Sequence, residues 1–144
     1  MSNLRLEGFE DLNDAFNRIS GIPQHVTEDA LTAMASVAAA KIRSTGESMG
    51  VRDPESSVHI LDKIKQGEPK KTASGGYADI TFSGTRTRNG RKTRNAEIAF
   101  VNEYGKRGQP ARPFIGTAMA RSEQQIMAAG EEVVGDWIEK EWKK

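Results

Sequence analysis

Residues 96–119, AEIAFVNEYGKRGQPARPFIGTAM, decide how this chain folds. The apolar run predicts a β-strand over residues 96–101, and residues 102–104 predict a helical turn closed by Gly105. A new helix is predicted from Pro113, because proline suits the first helical position, where its missing N–H costs nothing. The stretch therefore indicates a corner between a sheet and a helix, and it contains no pattern typical of an active site.

Two interpretations of Glu103 stay open. Its carboxylate either pairs with Arg112 or Arg107 and fixes the turn, or it is an ordinary surface glutamate. Phe114 is predicted to be a core anchor because it begins the apolar stripe of the next helix.

That helix is predicted to run to about Trp142, a length of about 40 Å at 1.5 Å per residue. Gly130 and Gly135 are the positions where the helix can bend or break, because each glycine costs about 1 kcal/mol inside a helix. Its apolar stripe is predicted from Phe114 and Ala118 through Ile126, Ala129, Val133 and Trp137. Trp142, five residues beyond Trp137, points to another face and is expected at an edge or a subunit contact.

Two helices are predicted upstream of the corner. The first covers residues 8–19, and the second starts at about residue 24 or 27, with Thr27 as a plausible N-cap, and ends at Ser48. The second helix has a regular apolar stripe, made of Leu31, Met34, Ala35, Ala38 and Ile42. The small residues 38–40 predict that another helix or sheet approaches this stripe closely.

The middle of the chain carries the strand signals. Residues 49–57 predict a loop, and residues 58–64 fit either a short helix or the start of a strand. Residues 67–82 predict a hairpin, with a turn at 74–76 and an alternating strand after it. The sequence thus predicts an α+β fold in a single domain, residues 1–144: N-terminal helices, a small antiparallel sheet with a long basic loop, and a long C-terminal helix packed on the sheet.

The basic segment 83–95 gives two conflicting signals. Asn89-Gly90 predicts a two-residue hairpin turn, in which opposed residue numbers sum to 179. Continued outward, that register places Phe82 opposite Glu97 and mixes polar with apolar residues on one face. Either a bulge shifts the register, or the segment is a long loop; we favour the loop.

Charge is strongly segregated although the net charge is only +1. Residues 1–62 carry −5, residues 63–112 carry +8 and residues 113–144 carry −2. A basic middle between acidic ends suits either nucleic-acid binding or head-to-tail packing of copies.

The sequence predicts no catalysis and no cofactor. The chain has no cysteine, which excludes disulfides and thiol nucleophiles. His25 and His59 lie in different elements without metal-binding spacing, and Asp53 and Glu55 flank a proline as turn residues do. No signal-peptide pattern and no membrane-spanning run is expected.

The basic residues of the 83–95 segment are the best candidates for intermolecular contact. Guanidinium and ammonium groups neutralise phosphates without sequence preference, or pair with acidic surface on a neighbouring subunit. Stacking on single-stranded bases is not supported, because no aromatic residue lies between them. The candidates are Arg86, Arg88, Arg91, Lys92 and Arg94.

The opening stretch also resembles the signature of the head–tail joining, or tail-completion, proteins that build the neck of long-tailed bacteriophages. That signature combines an alanine and an aromatic residue, a Val-Glu-aromatic-Gly-Thr group, and Pro-Ala-basic-Pro-Phe with an alanine a few residues on. Lys106 and Thr117 depart from it, where a threonine and often a proline stand in the family. The matching residues are Ala99, Phe100, Glu103, Tyr104, Gly105, Pro110, Ala111, Arg112, Pro113, Phe114 and Ala118.

The resemblance implies a non-enzymatic virion protein, assembled in the cytoplasm of the host bacterium. Copies would form a ring that joins the tail to the head or terminates the tail, and genomic DNA would pass through its lumen. The implied partners are further copies of the chain and other neck and tail proteins, with non-specific DNA contact and no membrane. A small DNA-binding protein using the basic segment is the alternative.

Overall fold

The computed structural model describes residues 21–51, 59–73, 75–88 and 90–143, together with the backbone of residues 3–5; for Arg88 only the backbone is described. The helix predicted over residues 8–19 lies outside these ranges. The helices are α1 (Gln24–Ser48), α2 (Asn95–Tyr104) and α3 (Phe114–Trp142), with a 3₁₀ turn at Ile60–Lys63. The strands are β1 (Asn3–Arg5), β2 (Ile64–Gln66), β3 (Lys70–Thr72), β4 (Gly75–Tyr77), β5 (Asp79–Phe82), β6 (Thr85–Arg88) and β7 (Arg91–Arg94).

Helices α1 and α3 pack against each other and form most of the core. All five residues of the stripe predicted on α1 are buried. The helix takes the earlier of the two predicted starts, at Gln24 after Pro23. Thr27 is therefore not an N-cap but a buried residue inside the first turns.

Helix α3 follows Pro113 as predicted and continues through Gly130 and Gly135 without a break. Its buried residues recur every four positions: Phe114, Ala118, Ser122, Ile126, Gly130 and Val134. Rows of residues four apart are the ridges that pack into the grooves of a neighbouring helix. After Ile126 the predicted stripe differs from the buried row, because Ala129, Val133 and Trp137 lie beside this row and are half-buried.

A three-stranded antiparallel sheet, in the order β1-β5-β2, lies beside the helices. Ile80 and Phe82 of β5 are buried while the residues between and before them are half-buried, as the alternation predicted. The rings of Phe82 and Phe114 meet edge to face with centroids 6.0 Å apart. This contact joins the sheet to the start of α3.

The hairpin predicted over residues 67–82 is shorter than expected. Strands β3 and β4 pair with Thr72 opposite Gly75, so Gly75 and Gly76 belong to β4 and not to the predicted turn at 74–76. The alternating strand β5 does not join this hairpin but pairs with β1 and β2. Residues 60–66 combine both predicted possibilities, since a 3₁₀ turn leads directly into β2.

The basic segment is a hairpin, and the loop interpretation was wrong. Strands β6 and β7 pair as Thr85 with Arg94 and Arg88 with Arg91, the register that Asn89-Gly90 predicts. The apparent register conflict vanishes because this hairpin does not continue β5, and because the residues after Arg94 are helical. The α+β class and the long C-terminal helix are confirmed.

Candidate interaction surface at the corner and the basic cleft

Residues 96–101 form part of helix α2, and the predicted strand was wrong. The buried residues of α2 are Asn95, Ala99 and Asn102, spaced four and three apart as on one helix face. Two of them are polar, whereas Phe100 is 43% exposed. The apolar run was misleading because α2 buries two polar side chains and exposes part of its apolar surface.

Glu103 caps the start of α3. Its Oε2 accepts a hydrogen bond from the Ile115 N–H at 2.8 Å, and its Oε1 accepts one from the Gly116 N–H at 2.9 Å. A carboxylate at a helix N-terminus satisfies orphan N–H groups and complements the helix dipole. Glu103 therefore fixes the corner, as one interpretation predicted, but its partners are backbone amides and not Arg107 or Arg112.

Gly105 allows the chain to leave α2. Its φ is +77°, which favours glycine, and an added Cβ would lie 2.8 Å from the Ala111 nitrogen. The N–H of Lys106 then donates to the Gln109 carbonyl at 3.0 Å, and the N–H of Gln109 donates back at 2.9 Å. These bonds bring residue 111 back beside the end of α2.

Arg112 links the corner to the end of α1. Its backbone N–H donates to the Asn102 carbonyl at 2.6 Å, and its Nη1 donates to the Gly50 carbonyl at 2.9 Å. Helices α1, α2 and α3 are thus held together around Arg112.

The residues that carry the resemblance divide into two groups. Ala99, Phe114 and Ala118 are buried, and Glu103, Gly105 and Arg112 make the contacts just described. The others are on the surface: Phe100, Tyr104, Pro110, Ala111 and Pro113. The rings of Phe100 and Tyr104 lie 4.8 Å apart between centroids, and Tyr104 is 65% exposed. The corner therefore presents an aromatic pair to the outside.

Asn95, which is fully buried, holds the base of the basic hairpin. Its N–H donates to the Gly84 carbonyl at 3.0 Å, and its Nδ2 donates to the Ser83 carbonyl at 2.8 Å. Its Oδ1 accepts a hydrogen bond from Arg86 Nε at 3.0 Å. One side chain thereby orients the hairpin and one of its arginines.

A basic cleft of about 670 Å³ lies between this hairpin, α2 and the corner. The cationic side chains along it are those of Arg86, Arg91, Lys106 and Arg112, with His59 beside them. Glu97 is the one acidic residue among the described residues that line it. Arg86 Nη2 and His59 Nδ1 are buried, and neither finds a hydrogen-bond partner among the described residues.

The predicted contact residues do not act as one patch. Arg86 and Arg91 line the cleft, whereas Lys92 and Arg94 belong to the opposite face of the hairpin by the strand register. Arg94 forms an exposed ion pair with Glu97 at 3.0 Å. Arg88 lies opposite Arg91 in the register.

Sequence reasoning missed Asn95 and Asn102 because a lone asparagine gives no sign of burial. It also missed that Lys106 and Arg112 share a cleft with His59 and with the hairpin arginines, since these residues come from three separate segments. Within the parts of the chain that the structure describes, no group of His, Asp and Glu is arranged to hold a metal ion, and no helix has the length and apolar character of a membrane span. Comparisons with protein-family models, with curated proteins and with solved structures return no match to this chain.

Proposed function

We propose that this chain is a non-enzymatic structural protein of a bacteriophage virion. Copies form a ring at the head–tail junction or at the head-proximal end of the tail, complete the tail or join it to the head, and let DNA pass. The observation that carries the proposal is the corner itself: Glu103 and Arg112, two residues of the resemblance, hydrogen-bond the end of α2 to the start of α3 and to the end of α1. Such a motif specifies shape, which is what an assembly protein requires.

Helix α2 buries polar residues and exposes aromatic ones, and this pattern also supports a role in assembly. Asn95 and Asn102 are buried while Phe100 and Tyr104 are exposed side by side. Exposed aromatic residues are enriched where proteins contact one another. The pattern is the one expected when α2 has a polar inner contact within the subunit and an apolar outer contact with a partner.

Electron microscopy of particles tests this function. When the gene is deleted from the phage or prophage that carries it, we expect unjoined heads and tails to accumulate in the induced lysate. Supplying the chain in trans should restore joined particles. Normal joined virions after deletion would refute the proposal.

DNA binding by the hairpin is the second candidate. A two-stranded ribbon fits the major groove of DNA, and β6 and β7 carry five basic residues and no acidic one. Neutralising Lys92 and Arg94, on the face away from the cleft, should weaken binding to duplex DNA at low salt. If the wild-type chain does not bind duplex DNA under those conditions, this candidate is eliminated.

A further inference from the structure

The basic cleft lies near one end of α3, and an acidic surface lies near the other. Arg112 lines the cleft two residues before α3 begins. Residues 131–143 carry five acidic and two basic residues. Of these, the acidic ones are Glu131, Glu132, Asp136, Glu139 and Glu141, and all are exposed.

This separation prevents the two surfaces from meeting within one copy. At 1.5 Å per residue, Glu131 and Asp136 lie about 25 to 33 Å along the helix from its start. Ion pairs require contact within about 4 Å. The cations of the cleft can therefore meet these carboxylates only in another copy.

The cleft is arranged to receive an anionic group. Arg86 is held by Asn95 and Arg112 by the Gly50 carbonyl, so two guanidinium groups are oriented in advance. A buried donor without a partner is costly, and Arg86 Nη2 is such a donor among the described residues. A carboxylate that enters the cleft would satisfy it.

Apolar side chains accompany both charged surfaces. Tyr104 follows the cleft residues Glu97 and Val101 by seven and three positions, so it lies along the same side of α2. At the far end of α3, Trp142 is 85% exposed. A basic cleft with an aromatic edge therefore has as its counterpart an acidic helix end with an exposed tryptophan.

We propose that the basic cleft of one copy receives the acidic C-terminal half of α3 from the next copy. This inference rests on the proposed ring function. The contact joins two different surfaces, and repetition of such a heterologous contact produces a ring when its rotation closes. A cleft of about 670 Å³ has the size of a small-ligand pocket and admits a few side chains rather than a DNA duplex.

Charge reversal in the deletion background tests the contact. The variant Arg91→Glu/Lys106→Glu reverses two exposed cleft residues that have no hydrogen-bond or ion-pair partner for their side chains among the described residues. The variant Glu132→Lys/Asp136→Lys reverses two neighbours on α3. Each should lower the titre of joined particles roughly 100-fold, and the four changes combined should restore it to within roughly 10-fold, because charge complementarity sets partner choice.

Lys70→Glu/Lys71→Glu is the matched control, since these exposed lysines lie on β3 and outside the cleft lining. It should leave the titre unchanged. Asp53→Asn/Glu55→Gln tests whether acidic residues next in sequence to the cleft use its cations, and it should also leave the titre unchanged. Loss of titre in either control, or failure of the combined variant to recover, would overturn the inference. Circular dichroism must show that every variant is folded.

Cross-linking gives an independent measurement, because the chain contains no cysteine. A mixture of Thr93→Cys and Asp136→Cys copies, treated with a short bismaleimide in assembled particles, should give a dimer that neither variant gives alone. The inference would be overturned if one cysteine variant alone gave as much cross-linked dimer as the mixture. It would also be overturned if the cleft bound duplex DNA and the mixture gave no dimer. Two outcomes separate this contact from the ring function. If deletion gives unjoined particles but each charge-reversal variant restores joining fully, the contact is refuted and the ring function stands. If deletion gives normal joined particles, the ring function itself is refuted.

Discussion

The corner at residues 102–116 and the basic hairpin at residues 85–94 lie side by side but differ in how they satisfy their polar groups. In the corner, Glu103, Arg112 and the turn amides find partners within the chain. In the hairpin, Arg91 and Lys92 find none among the described residues, and Arg86 retains a buried unpaired nitrogen. The corner therefore stabilises the fold, while part of the hairpin's charge is left without a partner among the described residues.

Removal of the corner's anchor should have the largest effect on stability. Phe114→Ala empties a fully buried site beside Phe82 and should lower the free energy of unfolding by about 3 to 5 kcal/mol. Phe100→Ala, at a 43% exposed position, should cost less than about 1 kcal/mol. Urea denaturation monitored by circular dichroism measures both, and equal losses would contradict the division between inner and outer aromatic residues.

Alanine substitutions at the two glycines of the turn, Gly105 and Gly108, should lower stability by different amounts. Gly105→Ala adds a strained backbone at φ +77° and a contact at 2.8 Å with the Ala111 nitrogen, so it should cost about 3 kcal/mol. Gly108→Ala has a similar φ of +83° but nothing within 4 Å, so it should cost only about 1 kcal/mol. Thermal unfolding of the pair separates steric crowding from backbone strain; similar midpoints would show that the crowding is relieved by relaxation.

Loss of the Glu103 cap should lower stability moderately and should affect mainly the start of α3. Glu103→Ala leaves the N–H groups of Ile115 and Gly116 without their acceptor and should cost about 1 to 2 kcal/mol. Glu103→Gln keeps one acceptor oxygen and should cost less. Amide hydrogen exchange should accelerate at residues 115 and 116 in the alanine variant, and unchanged exchange there would contradict the capping role.

A substitution in the hairpin should affect assembly rather than the stability of the fold. Arg91→Glu alters an exposed side chain and should change the free energy of unfolding by no more than about 0.5 kcal/mol. Its effect should appear instead in the yield of joined particles. A large loss of stability in the urea series would show that Arg91 supports the fold and would remove the contrast between the two regions.

The local sequence was sufficient for features that depend on neighbours along the chain. The spacing of Leu31, Met34 and Ile42 predicted α1, and Pro113 and Phe114 marked the start of α3. Asn89-Gly90 indicated the register of β6 and β7, although we favoured a loop because that register fails when it is continued outward. These signals are reliable because helix and hairpin contacts link residues only a few positions apart.

Only the tertiary structure decided the identity of α2 and the composition of the cleft. Asn95 is buried beside its partners Ser83 and Arg86, which come from other elements. The side chain of Asn102 donates to the Ile98 carbonyl of the same helix, while its backbone carbonyl accepts from the Arg112 N–H. No periodicity of apolar residues encodes such bonds. Likewise, His59, Arg86 and Arg112 meet only after packing of α1 and α3 brings their segments together. The sequence by itself determined the two long helices and the charge of this protein; tertiary packing decided that α2 is a helix and which polar groups are buried.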